Sequence, residues 1–424
     1  MLTPLFELLR CSWPRPGEQP EWDAPLMPTL PQPDWQEIQD EVAYVIDWNR
    51  FFAGSLRYWG SYPHRGEMRG FHVVFQLRLC ASGTLHVKAS HACTIRRDGA
   101  VLATGASCTL EVRPGDCLEV VDWQRSGRWQ WSAALQVGQD DTWIDEARRR
   151  VERRLQQPNG PTLKMYFDGR TPLRTALSLY SMVLNGYQPA QVLVFGEYQW
   201  SEQSRRRFAE LFPFARIVPT DEVLEHVRLL AGTRLVELAL RHWFVMKGCI
   251  GPLYPPADYC FMDDDIFVLQ PVQDALTAFQ RHQLVYIPDQ DHSAEYEAFW
   301  GRPAHGTGEI NTGLYWLRRR REARALAETM VQVVPRIAEM GIPIRYIWDQ
   351  GLIATHCVQG KAYQLPSTRY FYPYLDGLPG GIMGYDYALN PCGFTCVHYG
   401  AVDKPSDRVA SLLARDVLHL DRPD

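Results

Sequence analysis

The sequence predicts an α/β domain on a mostly parallel sheet, preceded by a small all-β domain. Three observations predict it. Strand-like apolar runs alternate with helix-like segments from Thr162 onward. Residues from about 70 to 137 hold only short strand-like runs separated by turn signals. Three consecutive carboxylates, Asp263-Asp264-Asp265, directly follow the fourth strand of the α/β part, beyond the carboxyl end of a strand, where such sheets bind ligands.

The 424-residue length exceeds one typical domain. A 46% hydrophobic and 22% charged composition is that of a globular chain with a sizeable core. The net charge of -5 gives no reason to expect nucleic-acid binding. No apolar run of membrane-spanning length occurs. Met1 to Arg10 lack a basic start and are interrupted by Glu7 and Arg10, unlike a signal peptide. The expected location is the cytoplasm. The ten cysteines are scattered, as for reduced thiols such as Cys80, Cys93 and Cys260. Cys392, Cys396 and His398 lack zinc-knuckle spacing.

Residues 1–60 are rich in Pro and Trp, and Pro14 through Pro33 forbid a long helix. They read as an extended leader, with a short helix from about Pro33 to Val45. Residues 61–140 read as a small β-sandwich: Phe71 to Leu79, Thr84 to Val87, Ala92 to Arg96, Cys108 to Val112, Cys117 to Trp123 and Trp129 to Leu135. Trp123, Trp129 and Trp131 are either core residues or stacking surfaces for sugar rings. Residues 141–160 read as a basic linker helix whose Arg148, Arg149, Arg150, Arg153 and Arg154 alternate with acids on a solvated face.

Residues 161–424 form the α/β domain. Leu163 to Phe167 is a strand, and Pro172 to Leu184 a helix stopped by Asn185-Gly186. Gln191 to Phe195 and Ala215 to Val218 are strands on either side of a helix capped by Ser201. Thr233 to Lys247 reads as one apolar helix, and Tyr259 to Met262 as the strand that enters the acidic triplet.

Adjacent carboxylates repel one another unless a cation neutralises them. Magnesium or manganese often bridges one or two carboxylates to substrate phosphates. Such an ion would also stabilise the charge that leaves when a sugar–diphosphate bond breaks. In strand geometry Asp263 and Asp265 face one side and Asp264 the other. A haloacid-dehalogenase-like site would need Thr or Val where Phe267 stands. A nucleotidyltransferase would need a Gly-rich basic phosphate loop near the first strand.

Four segments in order resemble GT-A-fold glycosyltransferases, nearest to the glycogenin-like and lipopolysaccharide-galactosyltransferase-like group often called family 8. They are Phe261-Met262-Asp263-Asp264-Asp265-Ile266, Asn311-Thr312-Gly313-Leu314, Trp348-Asp349-Gln350-Gly351 and His398-Tyr399-Gly400-Ala401-Val402-Asp403-Lys404-Pro405. The resemblance spans roughly residues 162 to 410. It implies a Rossmann-like GT-A domain, a UDP-sugar donor, and transfer to a hydroxyl with anomeric configuration retained. In that pattern Asp263, Asp265 and His398 would bind manganese, or magnesium in its place. Lys247, Asp264, Asn311, Gly313 and Lys404 would contact the donor, and Asp349 and Gln350 would lie at the reacting face. Gly400 stands one place early and Ser406 replaces the usual Trp, so the closing loop departs from the pattern. The segment Pro288 to Gly308 reads as a long polar loop and is expected to serve the acceptor, a glycan or another hydroxyl compound. Tyr370-Phe371-Tyr372-Pro373-Tyr374 offers either stacking surfaces or core. The competing readings are a carbohydrate-binding or scaffold protein with a non-catalytic domain of this type, and a nucleotidyltransferase.

Overall fold

The computed structural model describes residues 6–12, 43–46, 55–61, 71–124, 128–137, 141–167, 170–196, 202–304, 306–319, 322–340, 346–371, 394–398 and 407–421. The chain divides into two compact units: among the described residues, one holds those up to 137 with 407–413, and the other those of 141–371 with 394–398 and 414–421.

The first unit is all β. Its strands are β1 (Phe6–Ser12), β2 (Ala43–Ile46), β3 (Ser55–Ser61), β4 (Phe71–Leu79), β5 (Gly83–Arg97), β6 (Ala100–Val112), β7 (Cys117–Gln124) and β8 (Arg128–Val137). Every pairing is antiparallel. The order is β1-β4-β7-β5-β8-β3-β2, with β6 also on β5. The expected small all-β domain is present, and its described strands form one hydrogen-bonded eight-stranded sheet. The segments read as 84–87 and 92–96 are one strand, β5. Its first part pairs with β8 and its last part with β7. The register against β6 slips between Lys88 and Cys93, so the ladder is broken where β5 changes partners. Leu85 and Val87, and likewise Leu118 and Val120, are buried on alternate positions, which fixes the register. Three strands, β1 to β3, come from the segment read as a leader. The helix expected from Pro33 lies mostly outside the described residues, and its end, Ala43–Ile46, is strand. The side chains of Trp123, Trp129 and Trp131 also lie outside the described set.

The second unit is mixed α/β. Its helices are α1 (Trp143–Arg154), α2 (Pro172–Leu184), α3 (Glu202–Leu211), α4 (Thr220–Ala231), α5 (Thr233–Arg241), α6 (Trp243–Leu253), α7 (Gln273–Phe279), α8 (Ser293–Trp300), α9 (Ala323–Met340) and α10 (Tyr346–Leu352), the last continuing as a π-helical turn through Ile353–Cys357. Its strands are β9 (Thr162–Phe167), β10 (Val192–Gly196), β11 (Arg216–Val218), β12 (Tyr259–Asp263), β13 (Ile266–Val268), β14 (Leu284–Pro288), β15 (Ile310–Leu317), β16 (Ala362–Gln364), β17 (Tyr370–Phe371) and β18 (Cys396–His398). The main sheet runs β11-β10-β9-β12-β15-β14-β16. Strands β9 to β12 pair in parallel, as do β14 and β16. Strand β15 opposes both neighbours, so the expected mostly parallel sheet carries one reversed strand. Strands β9, β10 and β14 are buried along almost their whole length, as a sheet covered on both faces requires. A small second sheet holds β13-β18-β17.

Two local expectations are corrected. The single apolar helix from Thr233 to Lys247 is broken at His242, whose backbone is extended, and α6 continues to Leu253. Lys247 therefore sits inside a buried helix, where no helix-end charge preference accounts for it. The segment Pro288 to Gly308 contains α8, anchored by buried Tyr296, Phe299 and Trp300. No helix among the described residues is long and apolar enough to cross a membrane.

Candidate active site

Strand β12 carries four buried residues, Tyr259 to Met262, into the centre of the sheet. Asp263 is the last residue in the ladder, opposite Tyr166 of β9. The chain turns at Asp264 and Asp265 and enters β13 at once. Strand β13 lies antiparallel to β18, which places His398 opposite Ile266, next to Asp265. His398 Nε2 lies 3.4 Å from Asp265 Oδ1. Asp263, Asp265 and His398 each offer one ligand atom, and the three atoms lie within 4.8 Å of one another.

Gly313 makes room for this arrangement. A Cβ there would stand 2.4 Å from His398 Cε1 and 2.8 Å from its Nδ1. Its amide donates to Asn311 Oδ1 at 2.7 Å. The Asn311-Thr312-Gly313 segment of β15 is buried, so its backbone partners lie inside the protein.

Lys247 reaches the triplet from α6. Its Nζ donates to Asp263 Oδ2 at 2.9 Å and lies 3.5 Å from Asp349 Oδ2, with only 5% of the side chain exposed. Burial by itself would lower the pKa of this ammonium. The carboxylates of Asp263, Asp349 and Asp265 outweigh that effect and hold it above the ordinary lysine value. Burial pushes the Asp349 carboxyl above the usual carboxylate range, against the pull of Lys247 and the hydrogen bond from Thr312. That bond, from Thr312 Oγ1 to Asp349 Oδ2, is 2.6 Å long.

Gln350 follows Asp349 on α10 and joins a second network. Its Nε2 donates to Asp289 Oδ2 at 3.1 Å, while Tyr296 Oη donates to its Oε1 at 2.7 Å. Asn311 Nδ2 donates to the same Asp289 oxygen at 3.3 Å. Burial raises the Asp289 pKa, opposed by hydrogen bonds from the Gln290 amide and Gln350. Close packing of α10 on α8 fixes the network: a Cβ at Gly351 would meet Trp300 Nε1 at 2.6 Å.

Asp264 turns toward α2. Arg174 Nη2 donates to its Oδ2 at 2.7 Å and Thr175 Oγ1 lies 3.4 Å from the same atom. The structure thus gathers Asp263, Asp265 and His398 into one cluster, joins Lys247 to Asp263 and Asp349, and links Asn311 to Gln350 through Asp289. Lys404 lies outside the described residues, as do Tyr372, Pro373 and Tyr374. Tyr370 is buried, and its hydroxyl donates to Asp274 at 2.6 Å. The sequence reading did not single out Arg174 or Tyr296. An Arg in the first turn of an otherwise apolar helix is a signal for the first, because it opposes the helix dipole.

The donor set fits a hard divalent cation. Among the described residues, the carboxylates of Asp263, Asp264, Asp265 and Asp349 outnumber the Lys247 and Arg174 cations paired with them. Two carboxylates with one imidazole suit manganese or magnesium better than a thiolate-preferring metal.

No family model matches the chain, and no curated protein matches it. Weakly similar solved structures include the bifunctional glycosyltransferase WbbM, at 13% identity over 61% of this chain and 49% of that one, with a TM-score of 0.38. Another is the galactosyltransferase LgtC in complex with donor and acceptor sugar analogues, at 14% identity over 61% of this chain and 95% of that one, TM-score 0.37. A PA14 sugar-binding domain from an RTX adhesin matches 18% of this chain and 50% of its own, at 22% identity and TM-score 0.14. The chain spans about half the length of the first of these.

Proposed function

We infer that this protein is a glycosyltransferase of the GT-A type that moves a sugar from a nucleotide-sugar, UDP-linked, to a hydroxyl acceptor. The observation that carries this reading is the meeting of Asp263, Asp265 and His398 beside Lys247. The four motif segments that hold these residues in order support it.

Asp263, Asp265 and His398 would hold manganese, or magnesium. When bound, that ion would neutralise the donor diphosphate and the charge on the leaving group. Lys247 adds a fixed positive charge to the same region, and Lys404 belongs to the donor side by its motif. Asn311 and Gly313 would border the donor sugar. Asp264 belongs to the donor side by its motif, while its carboxylate pairs with Arg174. Asp349 and Gln350 would lie against the reacting carbon, where a carboxylate and an amide oxygen steady positive charge that develops in the transition state. Asp289 accepts hydrogen bonds from Gln350 and Asn311, and this link of the 288–308 segment to the site residues supports reading that segment as the acceptor side. Retention of anomeric configuration belongs to this reading, with the leaving phosphate accepting the acceptor's proton.

The test is incubation with a panel of UDP-sugars and Mn2+. Donor consumption that is lost in Asp265→Ala and on adding EDTA supports the assignment. Absence of turnover or hydrolysis with every donor would sink it. An NMR time course of the product anomer decides the stereochemistry separately, and an inverted product removes the retention claim alone.

A further inference from the structure

Helix α2 presents an unusual face to the triplet. Most of the helix is buried, yet Arg174, Ser178, Ser181 and Asn185 recur at intervals of four, three and four residues, which puts them on one side. All four are buried polar residues. Each meets the segment that leaves the sheet at Asp263. Arg174 pairs with the Asp264 side chain. Ser178 Oγ donates to the carbonyl of Ile266 at 2.6 Å. The Val268 amide donates to Ser181 Oγ at 3.0 Å, and Asn185 Nδ2 donates to the Val268 carbonyl at 2.8 Å. The polar side of α2 therefore follows the chain from Asp264 through β13, residue by alternate residue.

Arg174 is the costliest member. It stands in the first helical turn, where the dipole disfavours a cation, and 4% of its side chain is exposed. A buried guanidinium is tolerated when a carboxylate meets it with good geometry, and Asp264, equally buried, does so at 2.7 Å. The neighbours of Asp264 on both sides are the two carboxylates of the candidate metal cluster. Anchoring the middle side chain of three fixes the backbone from which the outer two project.

We propose that Arg174 is a positioning residue: through Asp264 it sets the placement of Asp263 and Asp265 for a divalent cation. The consequence for the cation rests on the metal-dependent reading above. Groups that orient metal ligands in this way change metal affinity by roughly 10- to 100-fold when removed.

The test is Mn2+ titration of the full chain, followed by calorimetry, for wild type, Arg174→Gln, Arg174→Lys and the double variant R174Q/D264N. Charge and position predict opposite signs. Arg174→Gln removes a positive charge beside Asp264, so a purely electrostatic role makes Mn2+ bind more tightly. Positioning makes it bind about 10- to 100-fold more weakly, with Arg174→Lys closer to wild type. Unchanged or tighter binding overturns the proposal. The double variant carries no lone buried charge, so it keeps a folded protein available, and weaker binding is expected there too. Hydrogen exchange over residues 263–268 reads the same question without a metal. Faster exchange in the folded double variant supports positioning, and wild-type protection overturns it. If the wild type itself binds no Mn2+, the metal-dependent reading fails, and the exchange measurement alone decides the role of Arg174.

Discussion

Residue 313 and His398 are so close that a single methyl group would separate them: a Cβ on Gly313 would lie 2.4 Å from His398 Cε1. Gly313→Ala is therefore expected to displace the imidazole from Asp265 and weaken Mn2+ binding by about 10-fold or more. Titration of Mn2+ into the variant checks this. Affinity equal to wild type would show that His398 is not a ligand or that the strand yields at no cost.

Metal removal has a thermal signature. A cation that binds only the folded state stabilises it by about 2.7 kcal/mol at a hundredfold excess over Kd. Adding Mn2+ should raise Tm, and EDTA should reverse the rise. Asp265→Ala should remove the response, because the cluster loses one of its three donors.

Lys247 lies between two carboxylates in a buried helix. Removing one partner of a buried ion pair costs on the order of 3–5 kcal/mol. Lys247→Met should therefore lower Tm in metal-free protein. It should also reduce donor kcat/KM by roughly 100-fold, in the range seen for loss of a fixed electrostatic stabiliser. A variant with normal Tm but reduced turnover would remove the structural half of this account.

Gln350 joins Tyr296 to Asp289. Gln350→Ala removes one hydrogen bond from Tyr296 and one from Asp289, at about 0.5–1.5 kcal/mol each, while Asp289 keeps the bond from Asn311. The expected kinetic effect is a fall in kcat, with nucleotide binding kept, since the side chain touches neither Asp263 nor Lys247 among the contacts described. Calorimetry with UDP and Mn2+ separates the two effects.

Alkaline pH should destabilise the fold. Burial raises the pKa of the Tyr180 and Tyr187 hydroxyls, and pushes that of Tyr286 up to about 12. An unfolded tyrosine ionises near pH 10. Above that point the unfolded chain has lost protons that the folded chain still holds, so stability falls with rising pH. The stabilising share of these groups is complete below about pH 10 and lost as pH rises through their folded values. Lys164, whose pKa burial depresses, acts with the opposite sign. Denaturant titrations from pH 9 to 11 measure the balance, and a Tyr286→Phe variant should flatten the slope.

Much of the second unit was legible because its strands are short apolar runs with helices between them. The helix α4 was not read, and α5 and α6 were merged, because Leu, Val and Trp continue through His242 without Pro or Gly. Only the extended backbone at His242 separates them. In the first unit, the turn signals marked most strands. The pairing of β1 to β3 with that sheet was not legible, since long-range antiparallel partners leave no local trace.

By itself, the sequence determined which residues are the candidates for the chemistry: three carboxylates at a strand end, a histidine far along the chain, and the Asn-Thr-Gly and Asp-Gln segments. Their types and local spacing are covalent facts. Tertiary structure alone decided which way each one points. Asp264 is taken up by Arg174 of α2, Lys247 reaches Asp263 from inside α6, and Gly313 serves the His398 ring. These outcomes depend on the register of β12, β13, β15 and β18 and on helix packing. Those follow from burial summed over the whole unit, which no local stretch of sequence contains.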